Sequence, residues 1–249
     1  MTNLSTEQQP EGRFVKGIYL LPNLFTTAGI FSGFYAIIAA MKGLYSYAAM
    51  TIFIAMIADG LDGRVARLTN TTSAFGAEYD SLADIVAFGV APAVTAYSWS
   101  LHLFGKIGWL IAFFFVAAGA LRLARFNVHV DDETQDKRFF CGLPIPAAAG
   151  VVTSMMWVSH INKINGLGGH LALLLITILA AGLMVSNVKY FSFKDFDFKG
   201  NVPFVAILIV VLLFVAIAID PPSILFIGFF IYLLSGPIYF LRYYLKKKN

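Results

Sequence analysis

Four aspartates, Asp59, Asp62, Asp80 and Asp84, have the spacing of groups that act together. At about 100° per residue, Asp59 and Asp62 stand roughly 60° apart on a helix, with Gly63 and Ala66 in or beside the same sector. Gly76, Asp80 and Asp84 follow at i, i+4 and i+8, so they climb one face with a drift of only about 40° per step. Glu78 falls on another part of that helix, as a surface or interfacial acid. Gly63, Ala66 and Gly76 keep bulk off the acidic faces, which lets a phosphate-bearing ligand approach the backbone and also promotes close helix packing. Four carboxylates brought together repel one another unless cations lie between them. All-oxygen ligation suits Mg²⁺, Mn²⁺ or Ca²⁺, and the lack of clustered Cys or His argues against zinc. Two such ions about 3.5–4 Å apart are the usual arrangement for displacement at phosphorus. Pairing with Arg64 and Arg67 is the competing account, but two arginines cannot neutralise four acids.

The elements that must position these acids are membrane helices. Of the 249 residues 59% are hydrophobic and 13% charged, outside the range of soluble domains. Windows of about 20 residues give about eight candidate spans: 22–42, 45–69, 75–101, 106–128, 144–161, 170–186, 202–219 and 223–242. The expected fold is therefore an all-α integral membrane protein, one domain over 1–249. It divides into an N-terminal segment 1–21, helices one to six over 22–186, and an interfacial loop with helices seven and eight over 187–249. No cleavable signal pattern follows the polar start, so the N-terminus is expected to be retained. With eight spans, 15 of the 18 Lys and Arg residues fall on the side of the termini and three, Lys42, Lys106 and Lys163, on the other. That bias places both termini in the cytoplasm. Of 14 acidic residues nine lie in tails or loops, and the other five are the four aspartates and Glu78, around the cytoplasmic ends of the second and third helices. A carboxylate in the membrane costs several kcal/mol unless paired, hydrated or metal-bound, so these are functional candidates. A short turn, Leu68 to Ala74, makes the two helices antiparallel neighbours.

The net charge of +4 belongs to basic residues beside apolar spans, which suits anionic lipid and not nucleic acid. Val188 to Gly200 alternates aromatic and charged residues. It reads either as a loop in the head-group layer, with Phe191, Phe193, Phe196 and Phe198 inserted, or as an ordinary connection. Cys141, the single cysteine, reads as a small packing residue.

Read as one string, Asp59-x2-Asp62-Gly63-x2-Ala66-Arg67-x8-Gly76-x3-Asp80-x3-Asp84 resembles the signature of the CDP-alcohol phosphatidyltransferase family at all eight fixed positions. Leu21 to Thr26, Asp59 to Ala93, Gly119 to Val128 and Phe140 to Gly150 are similar to its membrane-embedded phosphatidylserine synthase branch. The last three helices resemble that branch mainly in number and hydropathy. The resemblance implies transfer of a phosphatidyl group from CDP-diacylglycerol to L-serine, with release of CMP and a requirement for two divalent ions, Mg²⁺ or Mn²⁺. It further implies Asp59, Asp62 and Asp80 as metal ligands, and Asp84 as the general base that also touches the second ion. Gly63, Ala66 and Arg67 correspond to nucleotide and pyrophosphate contacts, Gly76 lies in the same signature, and a homodimer in the cytoplasmic membrane with an inward-facing site is implied.

Serine brings a carboxylate and an ammonium. Arg122 and Arg125, one turn apart near the cytoplasmic end of the fourth helix, are the candidates for its carboxylate, and spacing does not rank them. The positive-inside rule also accounts for both. Asn127, Lys137 and Arg138 are weaker candidates. Asn23 and Thr26 on the first helix are candidate cytidine contacts, though Asn23 also suits a helix cap. Glycerol 3-phosphate, choline or inositol would be the acceptor in other branches of the family. A cation transporter, the alternative from another class, predicts interrupted helices and inverted repeats near the midplane.

Overall fold

A computed structural model describes residues 20–69, 71, 73–128, 139–191 and 204–248. The N-terminal segment up to residue 19, Lys137, Arg138, and Phe193, Phe196 and Phe198 lie outside the described residues. The chain is mostly helical. Helix α1 (Leu20–Met41) reverses into α2 (Tyr45–Leu68) through Gly43, whose φ of 74° suits a residue without Cβ. The Gly43 N–H donates to the Ala40 carbonyl and the Leu44 N–H to that of Ala39, a Schellman closure that satisfies the last carbonyls of α1. This hairpin packs more extensively than any other pair of elements. Ala36, Ala39, Ala40 and Ala48 are buried in its seam, where small side chains let the backbones approach.

After the turn, Ser73 caps α3 (Ala74–Asp84) by accepting the Gly76 N–H at 3.0 Å. The expected third span, 75–101, is a continuous path, but not one uniform helix. α3 runs into a π-helical segment, Ile85–Val90, and then α4 (Ala91–Trp99). The Ala91 N–H reaches back five residues to the Val86 carbonyl, next to Pro92, which has no N–H to donate. A short 3₁₀ turn, Leu101–Phe104, leads into α5 (Lys106–Val128).

The remaining helices are α6 (Ile145–Ile161), α7 (Leu167–Val185), α8 (Phe204–Ile219) and α9 (Pro221–Lys248). α9 runs past the expected end at 242 and carries Pro237 internally. Between them lies a feature that hydropathy did not announce: β1 (Phe139–Cys141) pairs antiparallel with β2 (Lys189–Phe191), Phe140 opposite Tyr190. The first residues of the segment read as a loop, Lys189 to Phe191, are therefore strand. α9 holds this ribbon, because the Tyr190 hydroxyl donates to the Leu233 carbonyl and the Tyr232 hydroxyl to the Phe191 carbonyl, both at 3.0 Å. Gly236 leaves room for the Tyr190 ring. Burial, with Tyr232 close by, pushes the Tyr190 phenol above its usual range, so it stays a donor.

The core is built from Phe88, Phe115, Ile145, Met156, Leu173 and Met184 among others, where the π segment, α5, α6 and α7 meet. Among the described residues, five helical stretches are long and apolar enough to cross a bilayer: Pro22–Met41, Ala74–Trp99, Lys106–Val128, Leu167–Val185 and Pro221–Arg242. Ile145–Ile161 and Ile207–Ile219 are shorter apolar helices. α2 carries Asp59, Asp62, Arg64 and Arg67 in its last turns. Large apolar side chains remain exposed on most helices, as expected where the solvent is lipid.

Candidate active site

The helical period brings Asp59 and Asp62 to one face of α2, and α3 turns Asp80 towards them. Oxygens of the three carboxylates lie within 4.8 Å of one another, with Asp62 buried and the other two half-buried. Asp84, one turn beyond Asp80, is outside that close group but shares a small cavity of about 10 Å³ with all three, closed by Ala55, Ala83, Ala87 and Phe88. Glu78 is exposed. Three converging carboxylates, joined by no nitrogen or sulfur donor among the described residues, are a donor set that fits hard divalent ions.

On the outer side of the acids a larger cavity, about 170 Å³, is lined by Asn23, Thr26, Asp62, Gly63, Ala66, Thr71, Ser73, Gly76 and Asp80, with Pro22 and Ala77. A Cβ added to Gly63 would meet nothing within 4 Å, so its missing side chain leaves open space above the helix. A Cβ on Gly76 would come within 3.1 Å of Ser73 Oγ and 3.6 Å of Asn23 Oδ1. Arg67 is exposed and turns back on α2, its Nε donating to the Gly63 carbonyl at 2.9 Å. The Thr26 hydroxyl donates to Asp62 Oδ2 at 2.8 Å. Thr71 and Ser73 were not singled out from sequence. The N-cap signal of Ser73 ahead of a helix was available, whereas nothing local marks Thr71.

The two arginines differ sharply. Arg125 is exposed, and its Nη2 donates to Asn187 Oδ1 at 2.7 Å and to Cys141 Sγ at 3.2 Å. It thereby ties α5 to the end of β1 and to the chain just before β2. Cys141, read as a packing residue, is an exposed member of this cluster. Arg122 is 8% exposed, and its Nε is buried with no hydrogen-bond partner among the described residues. Its charge is within electrostatic reach of Asp84 and of Tyr232. Asn127 is engaged with Ser81 Oγ at 3.0 Å, which ties the end of α5 to α3.

Residues 19–187 match the family described as CDP-alcohol phosphatidyltransferase. The chain belongs to that family. A CDP-diacylglycerol–serine O-phosphatidyltransferase of Helicobacter pylori is 42% identical over 227 residues, 90% of this chain and 92% of the relative. A Saccharomyces cerevisiae protein of the same name is 42% identical over 139 residues, 51% of this chain and 50% of the relative. An archaetidylserine synthase of Methanothermobacter thermautotrophicus is 36% identical over 172 residues, 68% of this chain and 69% of the relative. Family membership and the apolar helices agree on a multi-pass membrane protein. The family match ends before β2, so one strand of the ribbon and all of α9 lie beyond it.

Proposed function

We propose that this chain transfers the phosphatidyl group of CDP-diacylglycerol to L-serine, giving phosphatidylserine and CMP. The observation that carries the reading is the near full-length similarity to a serine phosphatidyltransferase, combined with the acidic cluster of Asp59, Asp62 and Asp80. The names of bacterial, yeast and archaeal relatives differ in the lipid but share serine, which favours serine over glycerol 3-phosphate, choline or inositol.

The larger cavity is the place for the cytidine diphosphate moiety. Gly63, Ala66 and Gly76 allow its phosphates to approach the backbone, and Asn23 offers an amide to the base. Arg67, exposed one turn beyond Gly63, is the expected pyrophosphate contact. Asp59, Asp62, Asp80 and Asp84 would hold two divalent ions, Mg²⁺ or Mn²⁺. When bound, such ions neutralise the pyrophosphate and improve CMP as a leaving group. Asp84 accepts the hydroxyl proton of serine as its oxygen attacks the phosphorus that carries diacylglycerol, and the bond from that phosphorus to the CMP oxygen breaks. Arg122 binds the serine carboxylate: its buried Nε, near Asp84, is a donor without an acceptor among the described residues, and a carboxylate supplies one. Arg125 stands beside it as a secondary contact whose main bonds hold the ribbon.

The basic bias supports a site opening to the cytoplasm across the inner membrane, where serine and the nucleotide are soluble. The single domain, the eight-span count and a homodimer rest on the sequence pattern and family resemblance. Purified protein given CDP-diacylglycerol with each of the four acceptors should release CMP only with serine. CMP release with another acceptor and not with serine would overturn the assignment.

A further inference from the structure

Thr26 lies on α1, 36 positions before Asp62 on α2, and each side chain is 5% exposed. An ionised carboxylate has no hydrogen to give, so in the 2.8 Å contact with Asp62 Oδ2 the threonine must be the donor. The same Oγ1 lies 3.2 Å from the Pro22 carbonyl, four residues back on its own helix. That second contact is the helical back-bond that fixes the threonine rotamer. With one hydrogen and two acceptors, the shorter, charge-assisted contact to the carboxylate dominates. Asp62 is also the most buried of the three clustered acids, and so the one whose orientation water controls least.

We propose that Thr26 is a positioning residue for Asp62. Its hydroxyl holds one carboxylate oxygen so that the remaining lone pairs face Asp59 and Asp80, and this hydrogen bond, not a contact with cytidine, is its function. The inference rests on the reading of the aspartates as a divalent-ion site. A partner that orients a ligating carboxylate typically changes metal affinity by about 10–100-fold when removed. The α1–α2 hairpin supplies the rigidity, since its Schellman closure and alanine seam hold Thr26 in register with Asp62.

The experiment is Mn²⁺ binding to detergent-purified protein, followed by the paramagnetic signal of free Mn²⁺, alongside KM for CDP-diacylglycerol and thermal unfolding. Thr26→Val, which keeps the shape and removes the donor, should weaken Mn²⁺ affinity by about 10–100-fold. Thr26→Ala should do the same, and Thr26→Ser should restore binding close to wild type. Wild-type Mn²⁺ affinity in the valine and alanine variants, with a raised KM for CDP-diacylglycerol, would make Thr26 a nucleotide contact and overturn the proposal. A serine variant as impaired as valine would also overturn it, because packing and not the hydroxyl would then matter. Absence of Mn²⁺ binding by the wild type, or its survival in Asp62→Ala, would remove the ion site itself and the role of Thr26 with it.

Discussion

Asp84 stands apart from the three clustered acids, at the junction of α3 with the π segment and within electrostatic reach of Arg122. A carboxylate in that position can take a proton from an acceptor held by Arg122. A positioned base contributes on the order of 10²–10⁴ in rate. Asp84→Asn is therefore expected to lower kcat by about that factor while CDP-diacylglycerol still binds. Unchanged CMP release would remove Asp84 from the chemistry. The arginines make a paired test. A charge-assisted hydrogen bond is worth about 1.5–3 kcal/mol, or about 10–100-fold in affinity. Arg122→Met should raise the KM for serine by about that factor with little change in the KM for CDP-diacylglycerol. Arg125→Met breaks the bonds to Asn187 and Cys141, and should lower thermal stability more than serine affinity. Equal effects on serine KM would refute the distinction.

Among the elements, the π segment is the unusual one, and it sits directly behind Asp84. Its fit against α1 depends on Gly33: a Cβ there would lie 2.7 Å from Ala87 Cα, which is backbone and cannot turn aside. Overpacking of this kind costs about 1–3 kcal/mol. Gly33→Ala should lower the melting temperature and activity, since α1 carries Thr26 and the π segment continues from Asp84. Gly228→Ala on α9, where a Cβ meets nothing within 4 Å, should be close to neutral. Similar melting curves for the two variants would show that the π segment yields.

For the whole molecule, the proposed orientation rests on the basic residues. With eight spans, 15 of 18 Lys and Arg fall on one side. Tags at both ends should therefore be reached by an impermeant reagent only after the cytoplasmic side is opened. Protection of one end and exposure of the other would require an odd number of spans. The opposite side has its own fastening, where His170 Nδ1 meets Ser100 Oγ at 2.8 Å and joins α7 to the end of α4. The acids lie at the other end of the bundle, where the α2–α3 turn and the ribbon gather.

The spacing of Asp59 with Asp62 and of Gly76, Asp80 and Asp84 was legible from the sequence, because a helix has a fixed local period and every side chain's face follows from it. The membrane environment was equally legible, because composition alone excludes a water-exposed fold. What the period cannot state is how one helix is rotated against another, and the tertiary structure settled those matters. Thr26 meets Asp62 across 36 positions, Arg125 meets Asn187 across 62, and β1 pairs with β2 across two helices. Arg122 and Arg125 are indistinguishable in spacing, yet one is buried with an Nε unpaired among the described residues and the other is engaged at the surface. The π segment was hidden for a related reason. Its five-residue step lies next to Pro92 and packs through Ala87 on Gly33, and only the first of these neighbours is local.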